Sequence, residues 1–433
     1  MHWFGMRLQS TAGPGTGTKT GARTLPGVRE KIQAVVRMRK RSIDDIDVSG
    51  KRVLVRTDYN VPQDEEGGIA DDTKVRATLP TIQYLLGKDA TIVLCSHLGR
   101  PGGKVVDRLR MAPVAERLSE MLGRPVAALR DSIGPEVERA VSGMQKGEIV
   151  LLENLRFHPE EKANEPAFAE ALARLADVYV NDAFGTCHRA HASVAGVPRY
   201  LPAVAGLLLR RELETFGKIL EDPERPFAAV IGGAKVSDKF SVLRSIVTRV
   251  DLLIVGGGMT ATFIASLGYG AGASRIEAEL LDAVGQLKAE AERTDAALLL
   301  PEDVLVADRL DEGAKIRVVP ISGIPEGWLI ADIGPKTAET FSRELSRCRT
   351  AVWNGPMGVF EIPDFSGGTR RIAEAIAGIE GITVIGGGST IEAVAEFGFA
   401  DQISHISTGG GAALAMLSGE RLPGVEALED AEG

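Results

Sequence analysis

The sequence predicts an α/β protein of two domains, each a mostly parallel β-sheet with helices on both faces. The length of 433 residues and the mass of 46.0 kDa exceed what one hydrophobic core usually organises. From about residue 43, short runs of Val, Ile and Leu alternate with segments whose apolar residues recur every three or four positions. Strands that alternate with helices imply right-handed crossovers, and the same rhythm returns in the second half.

The strand candidates of the first half end in charged and polar side chains. Amphipathic helices are predicted between them, over 76–88, 111–123 and 167–176. The strand ends read VLVRTDYN (53–60), IVLCSHLGR (92–100), IVLLENLRFH (149–158) and VYVNDAFGTCHRAH (178–191). Because parallel sheets bind ligands at the carboxyl ends of their strands, we expect these side chains to form a working surface.

The strand candidates of the second half end in glycines instead. Helical patterns cover 241–250, 278–294, 337–347 and 369–379. The strand ends read AVIGGAK (229–235), LIVGGG (253–258), VIGGG (384–388) and HISTGGG (405–411). One half thus offers charged side chains and the other offers bare backbone, which indicates two anion-binding faces for two different phosphorylated ligands.

The joint between the halves is predicted within 197–227. Pro198 and Pro202 punctuate the start of this segment and Pro223 and Pro226 its end, with one helical pattern between them. Two interpretations stay open at this point: a stiff connector between domains, or an ordinary surface helix.

Composition excludes several classes of protein. The net charge of −9 argues against a sequence-independent nucleic-acid binder, which needs a basic surface. No uncharged apolar stretch approaches the roughly 18 residues that cross a bilayer, so no membrane span is predicted. Cys95, Cys187 and Cys348 are too few and too widely spaced for a disulfide framework, which indicates a reducing compartment; we expect the cytoplasm.

Residues 1–37 differ from the rest of the chain. They contain six Lys or Arg and a single acid, Glu30, and show no apolar period. We expect residues 1–40 to be a disordered N-terminal extension. A misassigned initiator, with Met38 as the natural start, and an organelle transit peptide are the alternatives.

The glycine loops favour phosphate binding without a P-loop. The sequence contains no GxxxxGK[ST] and no good GxGxxG after the first strand of a βαβ unit, which disfavours a P-loop protein and a nicotinamide-binding protein. A single GGG can be only a tight turn, but three of them, each opening a predicted helix, indicate anion sites at helix N-termini. Lys235 and Lys239 are four residues apart and are predicted to share a helix face there.

Three arginines of the first half stand just past predicted strand ends. Arg100, Arg156 and Arg189 are therefore expected to converge on one sheet edge, together with Asp58, Asn60, His97, His158 and His191. Guanidinium groups bind carboxylate and phosphate oxygens in pairs, so a small acid that carries a phosphate is indicated. A metal site formed by Cys187, His188 and His191 is disfavoured, because no second ligand cluster with zinc spacing is present.

At this point the motifs of the chain resemble those of one family. The matching segments are RTDYNVP, SHLGRP, GPEVERA, LLENLRFH, VNDAFGTCHRAHAS, GGAKVSDK, GGGM, IGPKT, VWNGPMGVFE and STGGGA. In this order they resemble the phosphoglycerate kinases over roughly residues 43–427. The resemblance implies two Rossmann-like three-layer αβα domains, joined by a helix and separated by a cleft. It also implies reversible phosphoryl transfer between 1,3-bisphosphoglycerate and Mg-ADP, which gives 3-phosphoglycerate and ATP.

The resemblance also implies domain limits. An N-terminal phosphoglycerate-binding domain is expected at 41–204, a connecting helix at 205–222 and a nucleotide-binding domain at 223–408. The C-terminal tail, 409–433, is expected to return to the N-terminal domain. The family resemblance further suggests a monomer that closes by a hinge motion, with no nucleic-acid or membrane partner.

Site residues carry over by motif. The expected substrate-binding set is Asp58, Tyr59, Asn60, Lys74, His97, Leu98, Gly99, Arg100, Arg156 and Arg189. The expected nucleotide-binding set is Lys239, Asn354, Pro356, Glu361, Gly386, Gly387, Gly388, Ser389 and Thr390. Lys74, Lys235 and Arg100 are expected to act on the transferred phosphoryl group. Mg²⁺ is the implied cofactor; it would be held mainly by nucleotide phosphates and water, with Ser389 as a weak ligand.

Two positions depart from the family pattern. Lys74 stands where the family usually has an arginine. The lysine keeps the positive charge but lacks the planar guanidinium group, which can donate two parallel hydrogen bonds. Ser389 stands where an aspartate usually faces the metal. The leading hypothesis is therefore an active phosphoglycerate kinase; the alternatives are a catalytically weakened binding protein and a related kinase for another acyl phosphate.

Overall fold

The computed structural model describes residues 39–431, and most of the predicted extension lies outside them. Within the extension's predicted limits, Lys40 Nζ donates to Asp430 Oδ1 at 2.6 Å and the carbonyl of Arg39 accepts from the N–H of Ala431 at 2.7 Å. The described chain therefore begins in contact with its own C-terminal segment. No helix within 39–431 is long and apolar enough to span a bilayer.

The first half forms a six-stranded sheet in which every pair is parallel, in the order β3-β4-β2-β1-β5-β6. Its strands are β1 (Arg52–Thr57), β2 (Thr91–Cys95), β3 (Val126–Ala128), β4 (Ile149–Leu151), β5 (Val178–Asp182) and β6 (Ala203–Ala205). Its helices are α1 (Thr73–Ala77), α2 (Leu79–Leu86), α3 (Ala112–Leu122), α4 (Pro135–Ser142), α5 (Pro159–Ala163) and α6 (Pro166–Ala173).

Both faces of this sheet are covered, as the near-continuous apolar runs of its strands require. Leu54 of β1 packs into one hydrophobic cluster, whereas its neighbours Val53 and Val55 pack into another. Because successive side chains of a strand point to opposite faces, the two clusters lie on opposite sides of the sheet. The predicted three-layer arrangement is thus confirmed.

The helix α7 (Leu207–Glu221) follows this half and contacts both halves. Its N-terminal amides at Leu208 and Leu209 donate to Asp182 Oδ1 at 3.0 and 3.2 Å. Farther along, the buried carboxylate of Glu212 accepts from Thr408 N at 2.7 Å and lies 2.7 Å from His405 Nε2. These contacts favour the connector interpretation over an ordinary surface helix.

The second half repeats the pattern with a six-stranded parallel sheet in the order β15-β14-β13-β7-β8-β9. A second sheet, antiparallel and in the order β11-β10-β12, was not predicted from the sequence. The strands are β7 (Phe227–Ile231), β8 (Leu252–Val255), β9 (Ala297–Leu299), β10 (Asp303–Ala307), β11 (Ile316–Pro320), β12 (Leu329–Ile333), β13 (Thr350–Asn354), β14 (Ile382–Gly386) and β15 (His405–Ile406). The helices are α8 (Phe240–Ile246), α9 (Thr260–Ser266), α10 (Leu281–Arg293), α11 (Pro335–Leu345), α12 (Gly367–Ala377) and α13 (Gly388–Glu396).

The C-terminal segment crosses back to the first half. It contains α14 (Gly410–Leu417) and α15 (Pro423–Glu426). Gly424 N donates to the carbonyl of Cys187 at 2.9 Å, and its own carbonyl accepts from Asn181 Nδ2 at 3.2 Å. An ion pair of 2.8 Å between Arg41 and Glu429 adds to this contact. The segment that follows α14 is therefore held against the first half.

Candidate functional site

A cavity of about 280 Å³ opens where the carboxyl ends of β1, β2 and β5 meet the start of α14. From the first half it is lined by Asp58, Asn60, Lys74, His97, Gly99, Arg100, Arg156, Gly185, Thr186, His188 and Arg189. Thr408, Gly409, Gly410 and Gly411 line the opposite wall. Most of the expected substrate-binding residues are thus brought together. Tyr59 and Leu98 are not; their side chains are 0% and 2% exposed and pack in the hydrophobic core.

An ion pair occupies one wall of the cavity. Lys74 Nζ lies 2.9 Å from Asp58 Oδ2. Burial raises the pKa of Asp58, but the charge and hydrogen bond of Lys74, together with His97 and Arg56, outweigh burial, and the pKa lies below its ordinary value. Burial also holds the pKa of His97 well below its ordinary value, so this imidazole is neutral at pH 7. The carboxylate is therefore ionised next to a cation.

The remaining cations of the cavity come from three different loops. Arg156 Nη1 donates to the carbonyl of Gly99 at 2.8 Å, and its Nε has no partner among the described residues. Burial and the nearby Arg189 lower the pKa of Arg156 to about 10, which still leaves it charged at pH 7. Arg100 is exposed at the cavity rim. Several cations around one cavity favour a ligand that carries at least two negative charges.

The glycines at the start of α14 form a wall of the cavity, although they were not among the expected substrate-binding or nucleotide-binding residues. A Cβ at Gly409 would lie 2.6 Å from the ring of Phe184 and 2.9 Å from the backbone of Gly185. Only glycine permits this approach, which brings the first amides of an eight-residue helix to the cavity. The sequence did predict an anion site at the HISTGGG segment, but on the glycine-bearing face of the second half and not beside the cations of the first half. Gly185, Thr186 and His188 were also missed as lining residues.

The expected nucleotide-binding residues gather at the carboxyl ends of three neighbouring strands, β7, β13 and β14. The loops after these strands touch: Gly233 N donates to the carbonyl of Pro356 at 3.0 Å, and Gly355 N donates to Thr390 Oγ1 at 2.7 Å. Gly387 has a φ of +93°, and a Cβ there would lie 3.2 Å from Asn354 Nδ2. Gly386 ends β14, whereas Gly388 and Ser389 are exposed in the first turn of α13, and Glu361 is exposed on a turn.

The two lysines of the 232–239 loop do not share a helix face, so that prediction was wrong. The helix α8 begins at Phe240, because the loop runs on through a turn at 237–239 before the helical bonds start. Lys239 Nζ instead donates to the carbonyl of Asn354 at 2.8 Å and to its Oδ1 at 2.5 Å. Burial lowers the pKa of Lys239 to about 8. Lys235 is exposed.

Metal-ligating side chains are not clustered in the described part of the chain. Within 39–431 no group of three or more His, Cys, Asp or Glu is arranged to hold a metal ion. Cys187 is fully buried, and burial raises its pKa to about 12, so it is a thiol and not a thiolate ligand. All three cysteines are free and buried.

The comparisons with known proteins decide the family. A family model described as phosphoglycerate kinase matches residues 43–420. The chain belongs to the phosphoglycerate kinase family. Family membership makes it a kinase, a phosphotransferase with a carboxyl group as acceptor, and nothing in the comparisons favours a weakened binding protein.

Relatives and solved structures of the family cover nearly the whole described chain. Phosphoglycerate kinases of Moorella thermoacetica and Pelotomaculum thermopropionicum are each 53% identical over 393 residues, which is 91% of this chain and 100% of each relative. The structure of phosphoglycerate kinase from Coxiella burnetii is 40% identical and superposes with a TM-score of 0.80, covering 90% of this chain and 98% of that one. The predicted family and fold class are confirmed.

Proposed function

We propose that this member of the phosphoglycerate kinase family transfers a phosphoryl group reversibly between 1,3-bisphosphoglycerate and Mg-ADP, giving 3-phosphoglycerate and ATP. One observation carries the proposal. The glycine turn at 408–411 closes a cavity whose other wall carries Lys74, Arg100, Arg156 and Arg189. Helix amides and cations on two sides of one small space suit a phosphorylated acid and the phosphoryl group that it exchanges, because this reaction needs charge stabilisation more than a covalent catalyst.

The first half would hold the phosphoglycerate. Arg156 and Arg189 supply guanidinium groups for its phosphate, and Arg100 at the rim supplies a third. Asp58 is ionised and acts as an acceptor for a substrate hydroxyl, with Asn60 and His97 beside it. Lys74 is the cation nearest to Asp58, and its ammonium would move to the transferred phosphoryl group when the substrate binds. The core positions of Tyr59 and Leu98 leave only their backbone for binding.

The second half would hold the nucleotide. The amides of Gly387, Gly388 and Ser389 at the start of α13 are suitable hydrogen-bond donors for the nucleotide phosphates. Lys239, which is bonded to Asn354, would line the entrance to this phosphate site. The exposed carboxylate of Glu361 is a suitable acceptor for ribose hydroxyls, and Pro356 offers an apolar edge. Lys235 would reach the phosphoryl group that is transferred.

Magnesium fits this site only as part of the nucleotide complex. The one protein ligand offered by the expected loop is the neutral hydroxyl of exposed Ser389, and Mg²⁺ commonly retains waters and phosphate oxygens as ligands. When bound, the ion neutralises charge on the β- and γ-phosphates. Its affinity for the protein alone is therefore expected to be weak.

Closure of the two halves would exclude water from the transfer. The helix α7 is bonded to both halves, through Asp182 and Glu212, which makes it a suitable hinge element. We further propose a cytoplasmic monomer, which is consistent with three unpaired cysteines.

Calorimetry on two single variants tests which half of the chain binds which ligand. Arg156→Met should weaken 3-phosphoglycerate binding by about 10- to 100-fold and leave ADP binding unchanged, since a charge-assisted hydrogen bond is lost. Lys239→Met should show the reverse pattern. Arg174→Met, exposed on the surface of the first half, is the control and should change neither. Loss of both ligands in either variant would contradict the assignment.

A further inference from the structure

The loop at 232–239 joins β7 to α8 and carries Lys235 and Lys239, the two lysines proposed above to act on the nucleotide. Lys239 is held by Asn354. Lys235 is exposed and takes part in no hydrogen bond or ion pair with any residue from 39 to 431. An ammonium on four rotatable carbons is mobile, so its position depends on how firmly its backbone is held.

The carboxylate of Glu277 binds the middle of this loop. Val236 N donates to Glu277 Oε2 at 2.5 Å, and Ser237 N donates to the same oxygen at 3.1 Å. The Ser237 hydroxyl donates to Oε1 at 2.5 Å. Glu277 is only 5% exposed, so these bonds are largely shielded from water. The residues that follow Lys235 are thus fixed by three bonds to one buried carboxylate.

Glu277 is itself anchored on its other side. Its N–H donates to Thr262 Oγ1 at 3.1 Å, on the buried face of α9. The chain just before Glu277 is also bonded to the framework. Ala273 N donates to the carbonyl of Trp328 at 2.8 Å, and Ile330 N, in β12, donates to Ser274 Oγ at 2.8 Å. The carboxylate is therefore attached to a framework outside the loop and does not move with it.

We infer that Glu277 is a positioning residue for phosphoryl transfer, which fixes the backbone of Lys235 so that its ammonium meets the transferred group. The inference rests on the role proposed above for Lys235. A carboxylate near a polyphosphate would otherwise oppose binding, but the Glu277 oxygens are turned to loop donors. Its effect is on geometry, and small displacements of a catalytic cation lower the rate steeply.

The test is steady-state kinetics of Glu277→Gln in the full chain. The amide keeps the size of the side chain but only one acceptor oxygen, so we expect kcat to fall roughly 10- to 100-fold. The KM for 3-phosphoglycerate should stay within about twofold, because that ligand binds in the other half. Asp251→Asn is the matched control, since Asp251 Oδ2 accepts from Phe227 N at 2.7 Å at the opposite end of the same strand β7. Its kcat should equal that of the wild type.

A double-variant cycle separates positioning from a general loss of structure. If Glu277 acts through Lys235, then adding Glu277→Gln to Lys235→Met should change kcat by less than about twofold. An equal loss in both backgrounds, or a Glu277→Gln enzyme as fast as the wild type, would overturn the inference. Ser237→Ala, which removes one of the three bonds, should lower kcat to a lesser extent and replaces Glu277→Gln if that variant does not fold. A wild-type chain without phosphoryl transfer would instead refute the proposed function.

Discussion

Position 74 shows how a single residue defines the cavity. The side chain of Lys74 is 31% exposed, and its ammonium lies 2.9 Å from Asp58 Oδ2 and lines the cavity. Arg76, two residues along the same helix, pairs with Asp72 at 2.8 Å and is 57% exposed. The two cations therefore have different tasks, and Arg76 does not take the place of Lys74.

Removal of the Lys74 charge should slow the reaction selectively. We expect Lys74→Met to lower kcat about 10²-fold, because one donor placed at the charge that develops in the transition state contributes this much in other enzymes. Arg76→Met is the matched control and should keep the wild-type rate. The measurement is the initial rate with both substrates saturating; equal rates for the two variants would contradict the assignment.

The positions of three cavity arginines could be predicted from the sequence because each of them follows a strand end. Arg100, Arg156 and Arg189 converge for that reason, since neighbouring parallel strands end at one edge. The inward direction of Tyr59 could not be predicted, because it depends on the local turn after β1 and on its 2.9 Å contact with Thr78.

At the scale of single elements, the start of α14 depends on the absence of a side chain. We expect Gly409→Ala to lower kcat by about tenfold or more, because a methyl group would push the helix amides away from the cavity. The control is Gly285→Ala in the middle of α10, where a Cβ meets nothing within 4 Å. That change should leave kcat unaltered and stabilise the protein by up to about 1 kcal/mol in chemical denaturation.

The start of α7 should make stability depend on pH. Burial raises the pKa of Asp182 from 3.8 to about 6, and its Oδ2 has no partner among the described residues. The folded state thus binds this proton more tightly than the unfolded state, so the stabilisation is complete below pH 3.8 and is lost as the pH rises through about 6.

Asp182→Asn mimics the protonated form and should lack this dependence. The difference in unfolding free energy between variant and wild type should rise between pH 4 and pH 7, by roughly 3 kcal/mol at most. Urea denaturation at several pH values measures it. Asp177→Asn, at the other end of strand β5, controls for the loss of a carboxylate; a difference that does not change with pH would contradict the burial of a charge at this helix.

Helices and strands were predictable where an apolar pattern extends over many residues. The antiparallel sheet and the course of the loop before α8 were not. The antiparallel sheet, in the order β11-β10-β12, has a mostly exposed edge strand, β11, whose five residues IRVVP show neither a continuous apolar run nor strict alternation. The shared helix face of Lys235 and Lys239 was wrongly predicted because the Glu277 bonds that hold this loop outside the helix join residues about 40 positions apart.

At the scale of the whole molecule, the two sheets serve one reaction only if they close on each other. The first sheet holds cations at its strand ends, the second holds glycine loops, and α14 meets the cavity between them. The two-domain fold was predictable from the length of the chain and from the alternation of strand and helix patterns. The return of the C-terminal segment to the first half depends on contacts between residues more than 200 positions apart in the sequence, which no local pattern reveals. It was predicted from the family resemblance alone.

Small-angle X-ray scattering should detect the closure. We expect the radius of gyration to fall when 3-phosphoglycerate and Mg-ATP are both present, and to change less with either ligand alone, because the bonds across the cleft need both. A radius that is the same in all four states would contradict hinge closure.

The central claim is that the phosphoryl group passes between ligands held by the two halves. The most direct measurement is a coupled assay of ATP formation from 1,3-bisphosphoglycerate and ADP with Mg²⁺. We expect sustained ATP formation by the wild-type chain and about 10²-fold slower formation by Lys74→Met. No ATP above the uncatalysed background, from folded protein that binds both ligands, would contradict it.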